Sequence, residues 1–251
     1  MVSAMQDPRV LRADCQFRQG QRPGRPVRRS FTQCVVYDTA RVLARLVAVG
    51  LYGLRVEGRE HWPAEGGALV CANHQSLFDP PLVGLTCPRR LHYLARQTLF
   101  DVPILGPVIR FFDAIPIDRD GTGLAGLKET LRRVQAGEMV LLFPEGTRTR
   151  DGEVGPLKPG LRLLVRRSGV PLVPVGIDGA YQAWPRTQRL PRLGRVAVVI
   201  RPPIPAAEVA ELNDEAVLAR LEQEIRLAHA QARRLRQAGR CATGSPTPSR
   251  P

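Results

Sequence analysis

Seven short apolar segments, separated in many places by stretches of helical pattern, constrain the fold of this chain more than any other feature. The clearest helical stretches are residues 124–135 and 160–168. Short apolar strands that alternate with helices are typical of a mostly parallel sheet covered by helices on both faces. The sequence therefore predicts one α/β domain over residues 54–238 that ends in a charged helix over 208–238. Its strands are predicted at residues 54–57, 68–72, 91–95, 114–117, 139–143, 172–177 and 196–201.

A histidine and an aspartate, five positions apart, follow the second apolar segment. Asp79 precedes Pro80, so its backbone is biased away from helix, and it is predicted to cap a helix that begins at Pro80. His74 then lies in a compact loop that can bring the carboxylate back to its ring. Such a pair suits general-base chemistry, because the imidazole accepts a proton near neutral pH and the carboxylate fixes its tautomer. The spacing arises by chance in roughly one chain in six of this composition, so it needs support from other motifs.

A second group of polar residues follows the fifth apolar segment, in the sequence Phe-Pro-Glu-Gly-Thr-Arg at residues 143–148. Proline and glycine end the strand in a turn, at the strand end where α/β sheets bind ligands. Arg148 and Arg150 offer planar guanidinium groups suited to phosphate. Glu145 could hold an arginine in place or accept a hydrogen bond from a substrate hydroxyl. For any single residue, a solvated charged turn is the alternative.

Three further patterns are less specific. Arg119, flanked by two aspartates at the end of the fourth strand, could form a surface salt bridge. The apolar residues 170–175 include two prolines, and most of them are expected to pack in the core. Residues 121–126 match the glycine fingerprint of dinucleotide sites, but residues 118–120 separate them from the strand, which argues against such a site.

Composition leaves the partner open. The net charge of +14 and the pI near 10.9 suggest a polyanionic partner, but only two basic residues are lysines, as in proteins from GC-rich genomes. The five cysteines lack metal-ligand spacing, which argues against a disulfide framework or a zinc site. Residues 1–30 and 239–251 are predicted to be disordered, and no secretory signal is apparent.

Residues 31–53 have an amphipathic helical pattern. Apolar residues recur near helical spacing, but Asp38, Arg41 and Arg45 interrupt them, so the segment is not apolar enough for a membrane span. Two interpretations remain. The helix can lie in a bilayer interface with its arginines on the polar face, or it can cover the sheet.

Four motifs occur in one order within residues 54–201: Asn-His-Gln-Ser-Leu-Phe-Asp-Pro at 73–80, Ile-Pro-Ile-Asp-Arg at 115–119, Phe-Pro-Glu-Gly-Thr-Arg at 143–148 and Val-Pro-Leu-Val-Pro-Val at 170–175. This order resembles the signature of the glycerolipid acyltransferases, specifically the 1-acylglycerol-3-phosphate acyltransferases. The first and third motifs are the specific ones. Two positions depart from the pattern: Arg96 stands where many members have lysine, and Asp113 replaces a common glycine.

The resemblance implies transfer of a fatty acyl group from acyl-CoA or acyl carrier protein to the sn-2 hydroxyl of lysophosphatidate, giving phosphatidate, without a metal or other cofactor. His74 is then the general base and Asp79 orients it. Ser76 is expected to be structural rather than a nucleophile. The residues that the resemblance assigns to substrate binding are Arg119, for the phosphate, and Glu145, Gly146, Thr147 and Arg148.

Because acceptor and product are lipids, the enzyme is expected at the cytoplasmic face of a membrane, as a peripheral or monotopic protein, with no nucleic-acid partner. Two alternatives stay open. The acceptor could be glycerol 3-phosphate, another lysophospholipid or an aminolipid. The chain could also be a non-enzymatic basic protein that binds membrane or nucleic acid, and steep salt dependence would be typical of the latter.

Overall fold

The seven segments form one sheet, as the alternation of apolar strands and helices predicts. The computed structural model describes residues 31–103, 105–112, 114–117, 124–188 and 190–241. Its strands are β1 (Arg55–Glu57), β2 (Ala68–Ala72), β3 (Leu91–Arg96), β4 (Ala114–Ile117), β5 (Met139–Leu142), β6 (Leu172–Asp178) and β7 (Ala197–Ile200). The order in the sheet is β1-β7-β6-β2-β5-β3-β4, and all neighbours are parallel except β6 and β7. The predicted mostly parallel sheet is therefore confirmed.

Helices cover both faces of this sheet. They are α1 (Phe31–Tyr52), α2 (Asp79–Thr86), α3 (Leu105–Phe111), α4 (Leu124–Gln135), α5 (Leu161–Ser168), α6 (Ala180–Ala183), α7 (Ala206–Glu211) and α8 (Asp214–Cys241). One apolar cluster joins the sheet to α1, α2 and α6, and a second joins it to α4, α5, α7 and α8. We call these the α1 face and the α8 face. Side chains in the central strands β2 and β5 are fully buried or nearly so, as expected for strands covered on both sides.

The C-terminal segment is two helices, so the prediction of one helix over 208–238 is wrong. Leu212 has an extended backbone, which ends α7. Asn213 then caps α8, because its side-chain oxygen accepts a hydrogen bond from the backbone N–H of Ala216 at 2.8 Å. The second helix continues to Cys241, three residues past the predicted end at 238. The remaining residues of the predicted tail, 242–251, and the predicted disordered segment 1–30 lie outside the described residues.

Helix α1 has its apolar side outward. Small or aromatic residues pack on the domain, whereas a set of valine and leucine side chains is about half exposed: Val35, Val36, Val42, Leu43, Leu46, Val47, Val49 and Leu51. Arg41 points to the domain and donates a hydrogen bond to the carbonyl oxygen of Cys87 at 2.5 Å. In the part of the chain that the structure describes, no helix has the length and apolarity needed to cross a membrane.

Candidate active site

The loop between β2 and α2 brings His74 and Asp79 together. His74 Nδ1 lies 2.7 Å from Asp79 Oδ2. The carboxylate can only accept, so Nδ1 carries a proton and Nε2 has its lone pair available. The His74 side chain is 16% exposed and Asp79 is fully buried. Nε2 makes no hydrogen bond to a described residue, so it is the nitrogen that can act on a substrate.

Asp79 is the first residue of α2, and its carboxylate closes the preceding loop. Oδ2 accepts hydrogen bonds from the backbone N–H groups of Gln75 and Ser76, at 2.5 and 2.7 Å, as well as from His74. The predicted N-cap role is therefore wrong: the side chain makes no capping bond to α2, whose cap position is Phe78. Burial raises the pKa of Asp79, while the hydrogen bonds from His74 and the two amides act against this rise.

Side chains of the same motif fasten the loop to distant parts of the domain. Asn73 donates to the carbonyl oxygen of Ile177 at 2.9 Å and accepts from the Ile177 N–H at 2.7 Å, which extends the pairing of β2 with β6. Ser76 Oγ donates to the carbonyl oxygen of Trp184 at 2.8 Å. The hydroxyl is fully buried and engaged, which supports the structural role expected for Ser76.

The third motif lies against His74 because β5 is the parallel neighbour of β2. The ring of Phe143 stacks on the imidazole, with centroids 3.9 Å apart. Glu145 is buried and accepts hydrogen bonds from the backbone N–H groups of His74 and Gly155, at 2.9 and 3.0 Å. Burial raises its pKa, and these two hydrogen bonds act in the opposite direction.

Glu145 therefore fixes the position of the His74 backbone. Among the described residues it binds no arginine, so the first of the two roles considered for it is not observed. Its contribution to the acceptor site stays a prediction. Gly146 has φ +67°, a conformation that favours glycine, and a side chain there would approach Lys158.

Arg148 is half-buried beside the dyad and has no acidic partner among the described residues. The next residue, Thr149, donates its backbone N–H to the carbonyl oxygen of His74 at 2.8 Å. This bond fixes the position of the Arg148 turn relative to His74. Burial lowers the pKa of the Arg148 guanidinium, and the positive charge of Arg186 lowers it further, partly offset by Asp79. A guanidinium in this setting is suited to an anionic ligand.

Arg119 lies outside the described residues, as do its neighbours 118 and 120–123. Strand β4, which precedes it, is parallel to β3, and β3 is parallel to β5. The carboxyl ends of β2, β5, β3 and β4 thus share one edge of the sheet. Its assignment to the acceptor phosphate stays a prediction.

Sequence reasoning missed two residues near the dyad. The side-chain nitrogen of Gln75 reaches the carbonyl oxygen of Gly152 at 2.7 Å and His229 Nε2 at 3.2 Å, and so links the catalytic loop to α8. Arg186 follows the Trp184 turn that Ser76 holds. Neither residue has a local signal in the sequence. Gln75 meets residues 77 and 154 positions away, and Arg186 lies in a loop without a motif. Within the described ranges, no group of three or more histidine, cysteine or acidic side chains is arranged to hold a metal ion.

Comparison with known proteins identifies the family of this chain. The model of the family described as Acyltransferase matches residues 53–178. A 1-acyl-sn-glycerol-3-phosphate acyltransferase of Bacillus subtilis is 30% identical over 174 residues, which cover 69% of this chain and 84% of the relative. The human enzyme of that name, type alpha, is 32% identical over 162 residues, which cover 62% of this chain and 56% of the relative. The chain thus spans most of the Bacillus enzyme but little more than half of the plant and mammalian relatives.

A solved structure agrees with the sequence matches. The crystal structure of the 1-acyl-sn-glycerophosphate (LPA) acyltransferase PlsC from Thermotoga maritima superposes with a TM-score of 0.70 at 25% identity, over 82% of this chain and 84% of that one. The sheet, the matched region and the named relatives lead to one conclusion. The chain belongs to the acyltransferase family, among its 1-acyl-sn-glycerol-3-phosphate acyltransferases.

Proposed function

We propose that this enzyme transfers a fatty acyl group from a thioester donor to the sn-2 hydroxyl of 1-acylglycerol 3-phosphate, giving phosphatidate. The observation that carries the proposal is the dyad: His74 offers an unoccupied Nε2 while a fully buried Asp79 holds its Nδ1. The names of the relatives give the acceptor. Either acyl-CoA or acyl carrier protein supplies the same thioester chemistry.

The reaction needs one base and no covalent enzyme intermediate. Nε2 of His74 takes the proton of the acceptor hydroxyl as its oxygen attacks the thioester carbonyl carbon. The resulting tetrahedral intermediate collapses, the C–S bond breaks and the thiolate leaves, taking a proton from the imidazolium. Asp79 stabilises the imidazolium through Nδ1, and the enzyme returns to its starting state.

The negative oxygen of the intermediate needs donors that the fold has not already engaged. The backbone N–H groups of His74, Gln75 and Ser76 are bound by Glu145 and Asp79, and that of Gly146 donates to the Phe143 carbonyl. Within the described residues, the N–H groups of Thr147 and Arg148 make no hydrogen bond. These two amides are therefore our candidates for the oxyanion site, in the turn that Thr149 ties to His74.

The acceptor phosphate is assigned to arginine. Arg148 lies within electrostatic reach of Asp79 and lacks an acidic partner among the described residues, so it can bind a phosphate next to the reacting hydroxyl. Arg119, from the second motif, completes the proposed phosphate site, with Glu145, Gly146 and Thr147 shaping the turn.

The enzyme is proposed to work at the cytoplasmic face of a membrane as a peripheral or monotopic protein. The outward side of α1 supports this, because eight valine and leucine side chains there are between 46% and 58% exposed. An apolar helix face of this size typically marks an interaction surface. Arg41 and Arg45 lie toward the domain, where burial lowers the pKa of Arg45. This orientation leaves the apolar side available to lipid.

The test is acyl transfer by the purified full chain in liposomes, with phosphatidate as the detected product. Wild type is compared with His74→Ala and with His61→Ala, a matched control because His61 binds the carbonyl oxygen of Ile200, far from the dyad. We expect His74→Ala to lose activity by several orders of magnitude and His61→Ala to retain it. A panel of acceptors and both donors identifies the substrates. Wild-type activity in His74→Ala would refute the mechanism.

A further inference from the structure

The segment that joins α6 to β7, residues 184–195, exposes two leucines. Leu190 is 77% exposed and Leu193 is 74% exposed, more than any other large apolar side chain in the described part of the chain. Single exposed leucines are common on protein surfaces. Here two of them lie within four positions of one connection. We call residues 184–195 the arginine–leucine loop.

Hydrogen bonds hold this loop and its C-terminal neighbour Val196 in place. The N–H of Arg192 donates to the carbonyl oxygen of Ala183 at 2.7 Å, and that of Val196 donates to the carbonyl oxygen of Tyr52 at 3.0 Å. The indole N–H of Trp184 donates to the Gln188 carbonyl oxygen at 3.1 Å. The leucines are therefore presented outward by an anchored scaffold.

The loop lies next to the C-terminal end of α1 and to the segment that carries His74 and Asp79. The ring of Trp184 meets Phe78 edge-on at 4.9 Å, and Phe78 meets Tyr52, the last residue of α1, at 5.2 Å. Ser76 binds the Trp184 carbonyl on the other side. A surface that contacts both α1 and the loop would thus also lie close to the dyad.

The charge of the loop indicates the kind of partner. Residues 184–195 contain four arginines and no acidic residue. Arg186 and Arg192 are exposed. Leucines that enter the acyl region, arginines at the level of the headgroups and an adjacent tryptophan are the combination that binds anionic bilayer interfaces.

We propose that the arginine–leucine loop is a second membrane contact, in which Leu190 and Leu193 enter the interface of an anionic bilayer. With α1 it makes a two-point attachment that sets the dyad at the level of the headgroups. The inference extends the membrane location given under the proposed function but rests on different residues, and it stands or falls without the acyl-transfer chemistry.

The first measurement is binding of the full chain to sedimented vesicles. Vesicles of phosphatidylcholine with about 30% phosphatidylglycerol are compared with vesicles of phosphatidylcholine alone, so that the two samples differ in surface charge. The double variant Leu190→Asn/Leu193→Asn should need about ten-fold more anionic lipid for half-binding. The matched control is Leu227→Asn, because Leu227 is 43% exposed on α8, on the opposite face of the sheet. Its binding should equal that of wild type.

The second measurement reports insertion directly. Leu193→Trp and Leu227→Trp are bound to vesicles with brominated acyl chains, which quench tryptophan fluorescence on contact. The quenching of each variant is compared with that of wild type, which contains only the native tryptophans. We expect added quenching for position 193 and none for position 227. Thermal unfolding checks that each variant is folded. We expect all of them to fold, because the substituted positions are exposed.

Three outcomes would overturn the inference: unchanged binding of the double variant, equal quenching at positions 193 and 227, or equal binding to neutral and anionic vesicles. A fourth would assign the loop to a protein partner: normal vesicle binding with a raised KM for an acyl carrier protein donor. Failure of the proposed function looks different, because wild type would then bind vesicles through the loop yet form no phosphatidate.

Discussion

Asp79→Asn isolates the charge of the dyad from its geometry. A single atom, Oδ2, accepts from His74 Nδ1 and from the amides of Gln75 and Ser76. Asparagine must place its oxygen at this position, because its NH2 group would face three donors there. The substitution therefore keeps the imidazole tautomer and the loop, and it removes only the negative charge.

The expected loss follows from the charge separation. Two unit charges about 4 Å apart interact by about 4 kcal/mol at an effective dielectric constant near 20. Losing this stabilisation of the imidazolium lowers kcat about 10²- to 10³-fold. Stability should change by less than about 2 kcal/mol, because weaker hydrogen bonds are offset by removal of a buried charge whose burial raises the pKa of Asp79.

The assay measures kcat with saturating donor and acceptor, beside the free energy of unfolding in urea. Asp178→Asn is the matched control, since Asp178 is also buried and also close to a histidine, His229, at 3.4 Å. It should lower kcat less than five-fold. An Asp79→Asn enzyme that keeps more than a tenth of the wild-type kcat would refute the role given to the carboxylate.

Three further changes test other parts of the structure. Arg148→Gln should raise the acceptor KM about ten-fold or more with a smaller effect on kcat, because charge-assisted hydrogen bonds to phosphate are lost; an unchanged KM in acceptor titrations would count against this assignment. Asn73→Ala should lower the free energy of unfolding by about 3 kcal/mol, because both backbone groups of Ile177 lose a partner; a loss under 1 kcal/mol in urea unfolding would contradict it. Although burial raises the pKa of Asp178, its interactions with His229 and Arg236 bring it below its usual value, so its stabilisation is full above about pH 4 and lost as pH falls through the folded pKa. Unfolding of wild type between pH 5 and 3 should thus depend on pH more steeply than that of Asp178→Asn, and parallel curves would disprove the linkage.

The central strands β2, β5 and β6 were predictable because continuous apolar runs match buried parallel strands. The approach of His74 to Asp79 was also predictable, since Pro80 and the end of β2 confine the intervening loop. The antiparallel direction of β7 was not, because residues 197–200 are as uniformly apolar as the parallel strands. Periodicity reports burial on both sides and carries no information on strand direction.

The site residues were also predictable only in part. Local spacing shows which side chains share a loop, but it cannot show which donors a buried carboxylate will meet. The motif predicts that Glu145 holds an arginine or accepts from a substrate hydroxyl, whereas its oxygens bind backbone amides 71 and 10 positions away. The link from Gln75 to His229 spans 154 positions. The Glu145–His74 contact follows from the pairing of β2 with β5, and the Gln75–His229 contact follows from the packing of α8 on the sheet. The sequence pattern specifies neither.

The positions of the arginines resolve what the net charge leaves open. On the α8 face, several arginines are neutralised within the fold: Arg166 by Asp214, and Arg201 and Arg220 by Glu224. These can reflect composition as much as function. In contrast, Arg148 and Arg192 have no acidic partner among the described residues. The turn of Arg148 is hydrogen-bonded to the His74 loop through Thr149, and Arg192 is hydrogen-bonded to the last residue of α6. Uncompensated charge beside the dyad, and again beside the exposed Leu193, is what the proposed ligand requires: a lysophosphatidate has an anionic head and an apolar tail.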